Sequence, residues 1–160
     1  MKGSDRDLRF LRRAIELSMQ ARARGRHPFA ALIADQDGNV LAEAGNAFGW
    51  PEGDATGHAE LIAIRDASMR FPPERLAQAT LYTSAEPCAM CAGAVYWSGI
   101  ARVVYALSET RLLSLTGNHP ENPTLSLPCR EVFARGQRAI QVVGPMIEDE
   151  AAIPHLGFWR

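Results

Sequence analysis

Cysteines, long apolar runs and an excess of charge of one sign are all scarce in this sequence, and each shortage excludes a class of protein. The 160 residues include three cysteines, an odd number that cannot pair completely within the chain, so a disulfide scaffold is not expected. No apolar run reaches the roughly 18 residues that a membrane helix requires. The opening segment MKGSDRDLRF has no signal-peptide core. We therefore expect a cytoplasmic protein that does not contact a membrane.

The charge balance disfavours a nucleic-acid partner. Lysine and arginine number 17, aspartate and glutamate number 18, and the formal net charge is −1. Proteins that bind nucleic acid usually carry a basic excess. Arginines nevertheless cluster within residues 1–26, with acidic residues interspersed among them. We interpret this cluster as the solvated face of a helix, and an RNA-binding arm is the alternative.

Hydrophobic periodicity predicts alternating helices and strands in one domain over residues 1–160. Apolar residues three and four apart predict an amphipathic helix at 5–24, and two short apolar runs around residues 37–39 predict a β-hairpin. Asp54 or Thr56 is the expected N-cap of a second helix. The remaining expected elements are helices at 57–70, 87–97, 127–136 and after 147, strands at 79–84, 101–108 and 139–146, and a loop at 109–126. This order predicts a layered α/β domain with about five strands.

Two short motifs combine histidine, glutamate and cysteine at the predicted starts of two helices. One reads H-A-E at 58–60 and the other reads P-C-A-M-C at 87–91. One imidazole and two thiolates suit Zn²⁺, which prefers four tetrahedral ligands and keeps one position for water when it is catalytic. Two cysteines three apart on the first turn of a helix project to the same side, where the helix dipole favours the thiolate. His58, Cys88 and Cys91 are therefore the candidate zinc ligands.

Glu60 lies two residues after His58 and can approach a zinc-bound water without binding the metal. Zinc lowers the pKa of its water to about 7, and a nearby carboxylate can carry the proton to a leaving amine. A structural zinc site is the non-enzymatic alternative, and it would require a fourth ligand such as Cys129, His119 or His155. Cys129 is otherwise expected to be a small buried side chain. A redox pair is a further alternative for the C-x-x-C motif.

The motifs and their surroundings resemble the cytidine deaminase superfamily, and within it the bacterial guanine deaminases and the tRNA adenosine deaminases. The resemblance is carried by PFAALIAD, AEAGN, GHAELIAIRDA and LYTSAEPCAMCAGAVYWSGIARVVYA, and it covers roughly residues 5–108. H-x-E followed by P-C-x-x-C is the signature of zinc nucleobase deaminases. The resemblance implies a three-layer α/β/α sandwich with a mixed five-stranded sheet, assembled as a homodimer.

The resemblance also implies roles for individual residues. The three candidate ligands match the family's zinc ligands, and Glu60 matches the proton-shuttling acid. Asn46 matches an asparagine that hydrogen-bonds the substrate. The implied substrate-binding residues are Phe29, Asn46, Ala59 and Trp97. Plain core packing is the alternative for the two aromatic residues.

The resemblance favours a small nucleobase as substrate, with guanine first. Tyr96 and Trp97 resemble the guanine deaminase branch, but the chain after the resembling stretch lacks the acidic segment of that branch. Glu121 is the nearest carboxylate there, and we consider it as a second catalytic acid, with an exposed loop charge as the alternative. If the aromatic C-terminus docks over the pocket, as the resemblance to guanine deaminases implies, it would exclude water from the site, and a disordered chain end is the alternative. Another small base, a nucleoside, a triazine and adenosine in tRNA are the alternative substrates.

Overall fold

A mixed sheet of five strands forms the centre of the chain, which a computed structural model describes over residues 3–160. The strands are β1 (Ala30–Ala34), β2 (Val40–Gly45), β3 (Thr80–Ala85), β4 (Arg102–Leu107) and β5 (Gln141–Val143). Their spatial order is β2-β1-β3-β4-β5. Strand β1 is antiparallel to β2 and β3, whereas β3, β4 and β5 are parallel. The predicted α/β class and the mixed five-stranded sheet are confirmed.

Helices cover both faces of this sheet. They are α1 (Asp5–Ala23), α2 (Ala59–Arg70), α3 (Pro73–Leu76), α4 (Ala89–Ser98), α5 (Glu109–Thr116), α6 (Cys129–Ala134) and α7 (Glu148–Ala152), followed by a 3-10 turn at Ile153–His155. Of the helices in residues 3–160, none combines the length and the apolar character needed to cross a bilayer.

Neighbouring side chains along each strand divide the core into two apolar clusters. Leu32 and Val104 belong to a cluster with residues of α1, α5 and α7, whereas Ile33 and Val103 belong to one with residues of α2, α4 and α6. Successive side chains of a strand point to opposite faces of the sheet. The two clusters therefore lie on opposite faces, and the predicted three-layer arrangement is confirmed.

The N-cap predicted for α2 is wrong. His58 is the N-cap, and its side chain makes no capping hydrogen bond. The Asp54 carboxylate instead accepts hydrogen bonds from the backbone N–H and the hydroxyl of Thr56, at 2.8 and 2.9 Å. Asp54 therefore closes a local turn in the loop before the helix. The imidazole of His58 takes no part in capping the helix.

The loop predicted at 109–126 is wrong in its first half, because that part is helix α5. Ser108 is the N-cap, and its hydroxyl accepts a hydrogen bond from the backbone N–H of Arg111 at 3.1 Å. Leu112 packs into the apolar cluster beneath α1. The segment without helix or strand is therefore 117–128, which we call the 117–128 loop.

The arginines of α1 bind groups of this chain. Arg12 pairs with Glu150 at 3.1 Å, and Arg13 pairs with Glu43 at 2.8 Å. Arg22 donates to the backbone carbonyl of Pro154 at 2.8 Å. These arginines connect α1 to β2 and to the C-terminal segment, so much of their hydrogen-bonding capacity is used within the fold. This arrangement gives no support to the alternative of an RNA-binding arm.

A buried ion pair fastens α1 to the sheet. The Asp7 side chain is 1% exposed, and its carboxylate accepts two hydrogen bonds of 2.7 Å from Arg102 and one of 3.0 Å from the Tyr82 hydroxyl. Burial by itself raises the pKa of Asp7, but the hydrogen bonds from Arg102, from the Ser4 backbone and from Tyr82 outweigh it and hold the pKa at about 2. The ionised carboxylate is therefore the form that the fold stabilises.

We expect Asp7→Ala to lower the free energy of unfolding by about 3–5 kcal/mol, because Arg102 loses its buried partner. The folded pKa of about 2 lies below the value of the unfolded chain. The stability contributed by Asp7 is therefore complete above about pH 5 and lost as the pH falls towards 2. Urea unfolding at pH 7 and at pH 3 should show the variant's deficit shrinking at the lower pH. Asp5→Ala, at an exposed position of the same turn, is the control; equal midpoints for Asp7→Ala and wild type would contradict this prediction.

Candidate active site

Two helices start side by side, and the residue before each carries a metal-binding side chain. His58 is the N-cap of α2 and Cys88 is the N-cap of α4, and neither side chain caps its own helix. The helices pack together in one apolar cluster, where Ala63, Ala67 and Ala92 have no exposed surface. Small side chains allow helices to approach closely, and this packing brings the two N-caps together.

The three candidate ligands lie within reach of a single ion. His58 Nδ1 is 3.4 Å from Cys88 Sγ and 3.6 Å from Cys91 Sγ, and the three ligand atoms all lie within 4.8 Å of one another. Tetrahedral zinc, with bonds of about 2.0 Å to nitrogen and about 2.3 Å to sulfur, requires nitrogen and sulfur ligands about 3.5 Å apart. The residues present therefore fit zinc.

No fourth protein ligand joins this group within residues 3–160. Cys129 is fully buried, and burial is the main cause that raises the pKa of its thiol to about 12. His119 and His155 lie beside Trp159 instead, with ring centroids 5.2 and 6.1 Å from it. A three-ligand group leaves one tetrahedral position open, as catalytic zinc sites do. The structure therefore contradicts the four-ligand alternative and confirms that Cys129 is a buried side chain.

The two cysteines of the group have opposite pKa shifts. A hydrogen bond from Cys91, followed by one from His58, lowers the pKa of Cys88 to about 4. The same thiol pair and burial raise the pKa of Cys91. This arrangement favours the thiolate at Cys88, and the thiolate is the form that binds a metal.

Glu60 is buried next to the ligand group and has a single hydroxyl partner. The residue is 6% exposed, and its Oε1 lies 2.9 Å from the Thr83 hydroxyl, which is also 2.7 Å from the carbonyl oxygen of Ala85. Thr83 has one hydroxyl hydrogen. It can donate to ionised Glu60, or accept from protonated Glu60 while donating to Ala85. Burial is the main cause that raises the pKa of Glu60.

A cavity of about 330 Å³ opens at these residues. Its lining includes His58, Ala59, Glu60 and Cys88. This volume falls within the range of about 300–1,000 Å³ that is usual for small-molecule sites. The two predicted motifs thus meet at one pocket, and Ala59 lies in its lining, while its role in substrate binding stays a prediction.

Asn46 presents its side-chain amide to the pocket in a fixed orientation. It follows β2, lines the cavity and is 6% exposed. Its Oδ1 accepts a hydrogen bond from the backbone N–H of Phe48 at 2.9 Å, and the backbone N–H of Asn46 donates to the carbonyl of Phe29 at 2.9 Å. Because the oxygen is turned towards the chain, Nδ2 is the group left for a ligand. Such a donor matches a carbonyl oxygen or an unprotonated ring nitrogen.

Aromatic rings form one wall of the pocket. Phe29 lines it as predicted, together with His27 and Phe48, which stack with centroids 4.9 Å apart and an interplanar angle of 28°. Flat faces of this kind suit a planar ring. Sequence reasoning did not select His27 and Phe48. The sequence offered one sign of their role, which is that His27 and Phe48 lie close to Phe29 and Asn46. Aromatic residues so close in sequence are also common in an ordinary core, so this sign does not identify a pocket wall.

Comparison with known proteins agrees with this geometry. Residues 4–107 match the family model for the cytidine and deoxycytidylate deaminase zinc-binding region, and the match includes both motifs. The chain belongs to this deaminase family. The family binds zinc, and His58, Cys88 and Cys91 are the grouped candidate ligands in this deaminase.

Relatives of this deaminase carry more than one substrate name. The chain is 47% identical to a probable cytosine deaminase of Schizosaccharomyces pombe, over 98% of this chain and 94% of the relative. It is 41% identical to the guanine deaminase of Bacillus subtilis, over 63% of this chain and 64% of the relative. Among solved structures, a guanine deaminase from Nitrosomonas europaea is 27% identical, with a TM-score of 0.73 over 91% of this chain and 80% of that chain.

Trp97 does not reach the pocket of this deaminase, contrary to the expectation. It is 84% exposed, and its ring contacts Tyr96 at a centroid distance of 5.3 Å. Trp97 follows Cys91 by six residues on the same helix, which places it about 240° around the axis. A helix that directs Cys91 towards the ligand group therefore directs Trp97 elsewhere.

Glu121 lies at the pocket, on the 117–128 loop. Its side chain is 56% exposed, and its Oε2 is 3.7 Å from Nε2 of His27. The loop therefore brings this carboxylate to the same cavity as Glu60, although its role as a second acid stays a prediction.

The C-terminal segment docks against the aromatic wall. Trp159 lies with its ring centroid 5.0 Å from His27 and 6.0 Å from Phe29, and its Nε1 donates to Nδ1 of His155 at 2.9 Å. Burial lowers the pKa of His155 to about 4, so the neutral imidazole can accept this bond. Trp159 itself is not part of the cavity lining. The C-terminal segment is therefore docked, and the Trp159 ring packs against the pocket wall without lining the cavity.

Proposed function

We propose that this deaminase hydrolyses the exocyclic amine of a small free nucleobase. The observation that carries the proposal is the open three-ligand group with buried Glu60 beside a cavity of about 330 Å³. In the reaction, water adds its oxygen to the amine-bearing ring carbon, the carbon–nitrogen bond breaks, and ammonia leaves. The ring retains a carbonyl group in place of the amine.

The proposed roles follow from what each side chain can reach. Zinc held by His58, Cys88 and Cys91 would lower the pKa of a coordinated water to about 7 and so supply the nucleophile. Glu60 would accept a proton from the attacking water and return it to the leaving amine, while Thr83 holds the carboxyl group in either protonation state.

Other side chains are proposed to bind and orient the ring. Asn46 donates from Nδ2 to an acceptor on the ring, and Phe29 and Phe48 contact its face. Ala59 adds a small surface that lets the ring approach the ligand group. Glu121 is proposed to act as a second acid towards a ring nitrogen, since it reaches the cavity from the 117–128 loop.

Guanine is the first candidate substrate, and cytosine is the second. Both bases carry the amine on a carbon next to an unprotonated ring nitrogen, and both have a carbonyl oxygen that Asn46 can bind. The solved guanine deaminase that shares this fold over 91% of the chain supports guanine. The probable cytosine deaminase supports cytosine, because its similarity extends over 98% of the chain and so includes the 117–128 loop.

A substrate panel tests this proposal. We expect zinc-loaded protein to release ammonia from guanine or cytosine with kcat/KM at least about tenfold above that for guanosine, cytidine and adenosine in tRNA. A ribose brings hydroxyl groups that need polar partners, whereas aromatic and apolar side chains form much of this pocket. Ammonia is measured by a coupled assay, with protein treated with a zinc chelator as the blank. Absence of ammonia from every free base would contradict the proposal.

A homodimer is proposed as the working assembly. Met69, near the end of α2, is 80% exposed, and Trp97, near the end of α4, is 84% exposed. These two helices are packed together, so both apolar side chains belong to one layer of the fold. A second copy of the chain would remove such apolar surface from water.

A further inference from the structure

Glu86 lines the cavity, yet both of its carboxylate oxygens are engaged by the chain. Oε1 accepts a hydrogen bond from the backbone N–H of Glu109, and Oε2 accepts one from the backbone N–H of Cys129, each at 3.0 Å. A carboxylate whose two oxygens both accept backbone hydrogen bonds is poorly placed to shuttle protons. Its position at the pocket therefore indicates a role other than acid–base chemistry.

The two donors stand at equivalent places in the fold. Glu109 is the first residue of α5 and Cys129 is the first residue of α6. Backbone N–H groups in the first turn of a helix have no partner within that helix. Glu86 supplies a partner to both, and it follows β3 two residues before Cys88. One carboxylate thus ties the segment that carries a zinc ligand to the starts of two helices.

These two helices stand on either side of the 117–128 loop. The loop contributes Glu121, Asn122, Thr124 and Leu125 to the cavity lining. The Thr124 hydroxyl oxygen is buried and has no hydrogen-bond partner in the described chain. A buried hydroxyl without a partner is rare in a folded protein, so this one indicates a ligand or a water in the pocket. The polar groups of the loop are therefore suited to contact a substrate.

We propose that Glu86 is a positioning residue that holds the 117–128 loop in place for substrate binding. This inference rests on the proposed function, because it assigns the loop to substrate recognition at the same site. Glu86 acts through the backbone of α5 and α6 and touches neither the reacting atoms nor the metal. The specificity of the enzyme then depends on the link between the P-C-x-x-C segment and a loop more than 25 residues later in the chain.

Two variants disrupt the hydrogen bonds between Glu86 and the starts of α5 and α6, one at the acceptor and one at a donor. Glu86→Gln keeps the shape of the side chain and one acceptor oxygen, but its NH2 group is a donor and cannot accept a hydrogen bond from the second backbone N–H. Glu109→Pro leaves Glu86 intact and removes one N–H donor. Proline is favoured at the first position of a helix, and Ser108 already has the extended backbone that a residue before proline requires. Glu109→Ala is the matched control, because it removes the same side chain and keeps the N–H.

Hydrogen exchange and steady-state kinetics together test the proposal. Exchange of peptides from 117–128, measured by mass spectrometry without substrate, should be at least about threefold faster in Glu86→Gln than in wild type, and faster in Glu109→Pro than in Glu109→Ala. KM for the base that wild type converts should rise about tenfold or more in the same two comparisons, with kcat within about threefold. Zinc content should stay at the wild-type value. Glu74→Gln, an exposed substitution with the same change of charge, controls for net charge.

The outcomes separate this inference from the proposed function. Unchanged exchange in both link variants would overturn the positioning role, whether or not the protein has activity. Faster exchange with an unchanged KM would overturn the assignment of the loop to substrate binding. A fall in kcat at constant KM would indicate a direct effect of charge at the zinc site and would also overturn the assignment of the loop to substrate binding.

If wild type converts no base in the panel, the proposed function fails, whereas the exchange comparison still decides whether Glu86 holds the loop. Should Glu86→Gln fail to fold, the Glu109→Pro and Glu109→Ala pair decides the result.

Discussion

Glu60→Gln should lower kcat for deamination by about 10³-fold while zinc remains bound at the wild-type level. Glutamine has nearly the same shape as glutamate, but its amide cannot accept and return a proton at neutral pH. The side chain is not among the three grouped ligands, so the metal site should persist. Thr83, 2.9 Å from Oε1 of Glu60, can still hydrogen-bond to the amide oxygen and keep the side chain in place. Ammonia release at saturating base and metal analysis of the same sample measure the two quantities.

Glu52→Gln is the control for this substitution, because Glu52 is exposed and lies outside the cavity lining. Its kcat should stay within about twofold of wild type. A Glu60→Gln enzyme with the wild-type rate would remove Glu60 from the mechanism. Loss of zinc from that variant would instead mean that Glu60 supports the metal, and the division between ligands and proton shuttle would then be wrong.

Removal of zinc is expected to abolish deamination, and stoichiometric Zn²⁺ should restore it. A variant pair refines this prediction, because Cys91 and Cys129 are both fully buried but only Cys91 belongs to the ligand group. Cys91→Ala should lose both zinc and activity. Cys129→Ala should keep both, although each substitution removes one buried sulfur. Metal analysis after gel filtration, followed by the ammonia assay, makes the comparison.

Two results would contradict the zinc prediction. Chelated protein that still deaminates at the wild-type rate would exclude a metal-dependent mechanism. Equal loss of zinc from Cys129→Ala and Cys91→Ala would mean that Cys129 supports the site, which would restore the structural-zinc alternative. The matched pair is informative because burial is the same at both positions, so their difference reports ligation and not packing.

Each motif of the zinc group was predictable because its residues lie close in sequence, whereas His58 and Cys88, 30 residues apart, meet through the packing of α2 against α4. Cys88 and Cys91 lie three apart at the start of one helix, and that spacing alone places both on the same side. Glu60 lies two residues after His58, so the geometry of the first turn of α2 fixes the position of one side chain relative to the other. The β-hairpin was equally local, since a short turn joins strands that must then pair. In each case the sequence separation is a few residues, over which backbone geometry changes little.

Other features depended on parts of the chain that are distant in sequence. Helix α5 lies in a segment predicted as a loop, because the contacts of Leu112 and Leu115 with the apolar cluster of α1 are recognisable only once that cluster exists. Trp97 was assigned to the pocket by resemblance, whereas the rotation of α4 directs it outward. His27 and Phe48 became a pocket wall only through their stacking on each other and their contact with the C-terminal segment.

Short-range spacing predicts each motif of the candidate ligand group, the proposed proton-carrying glutamate and the alternation of strands and helices. The shape of the pocket follows from long-range packing, because His27, Asn46 and the 117–128 loop meet the ligand group only after the sheet has brought them together. Spacing within one helical turn constrains geometry directly, whereas contacts across many residues depend on how every intervening element packs. The lining of the cavity and the two hydrogen bonds of Glu86 were therefore decided by the tertiary structure.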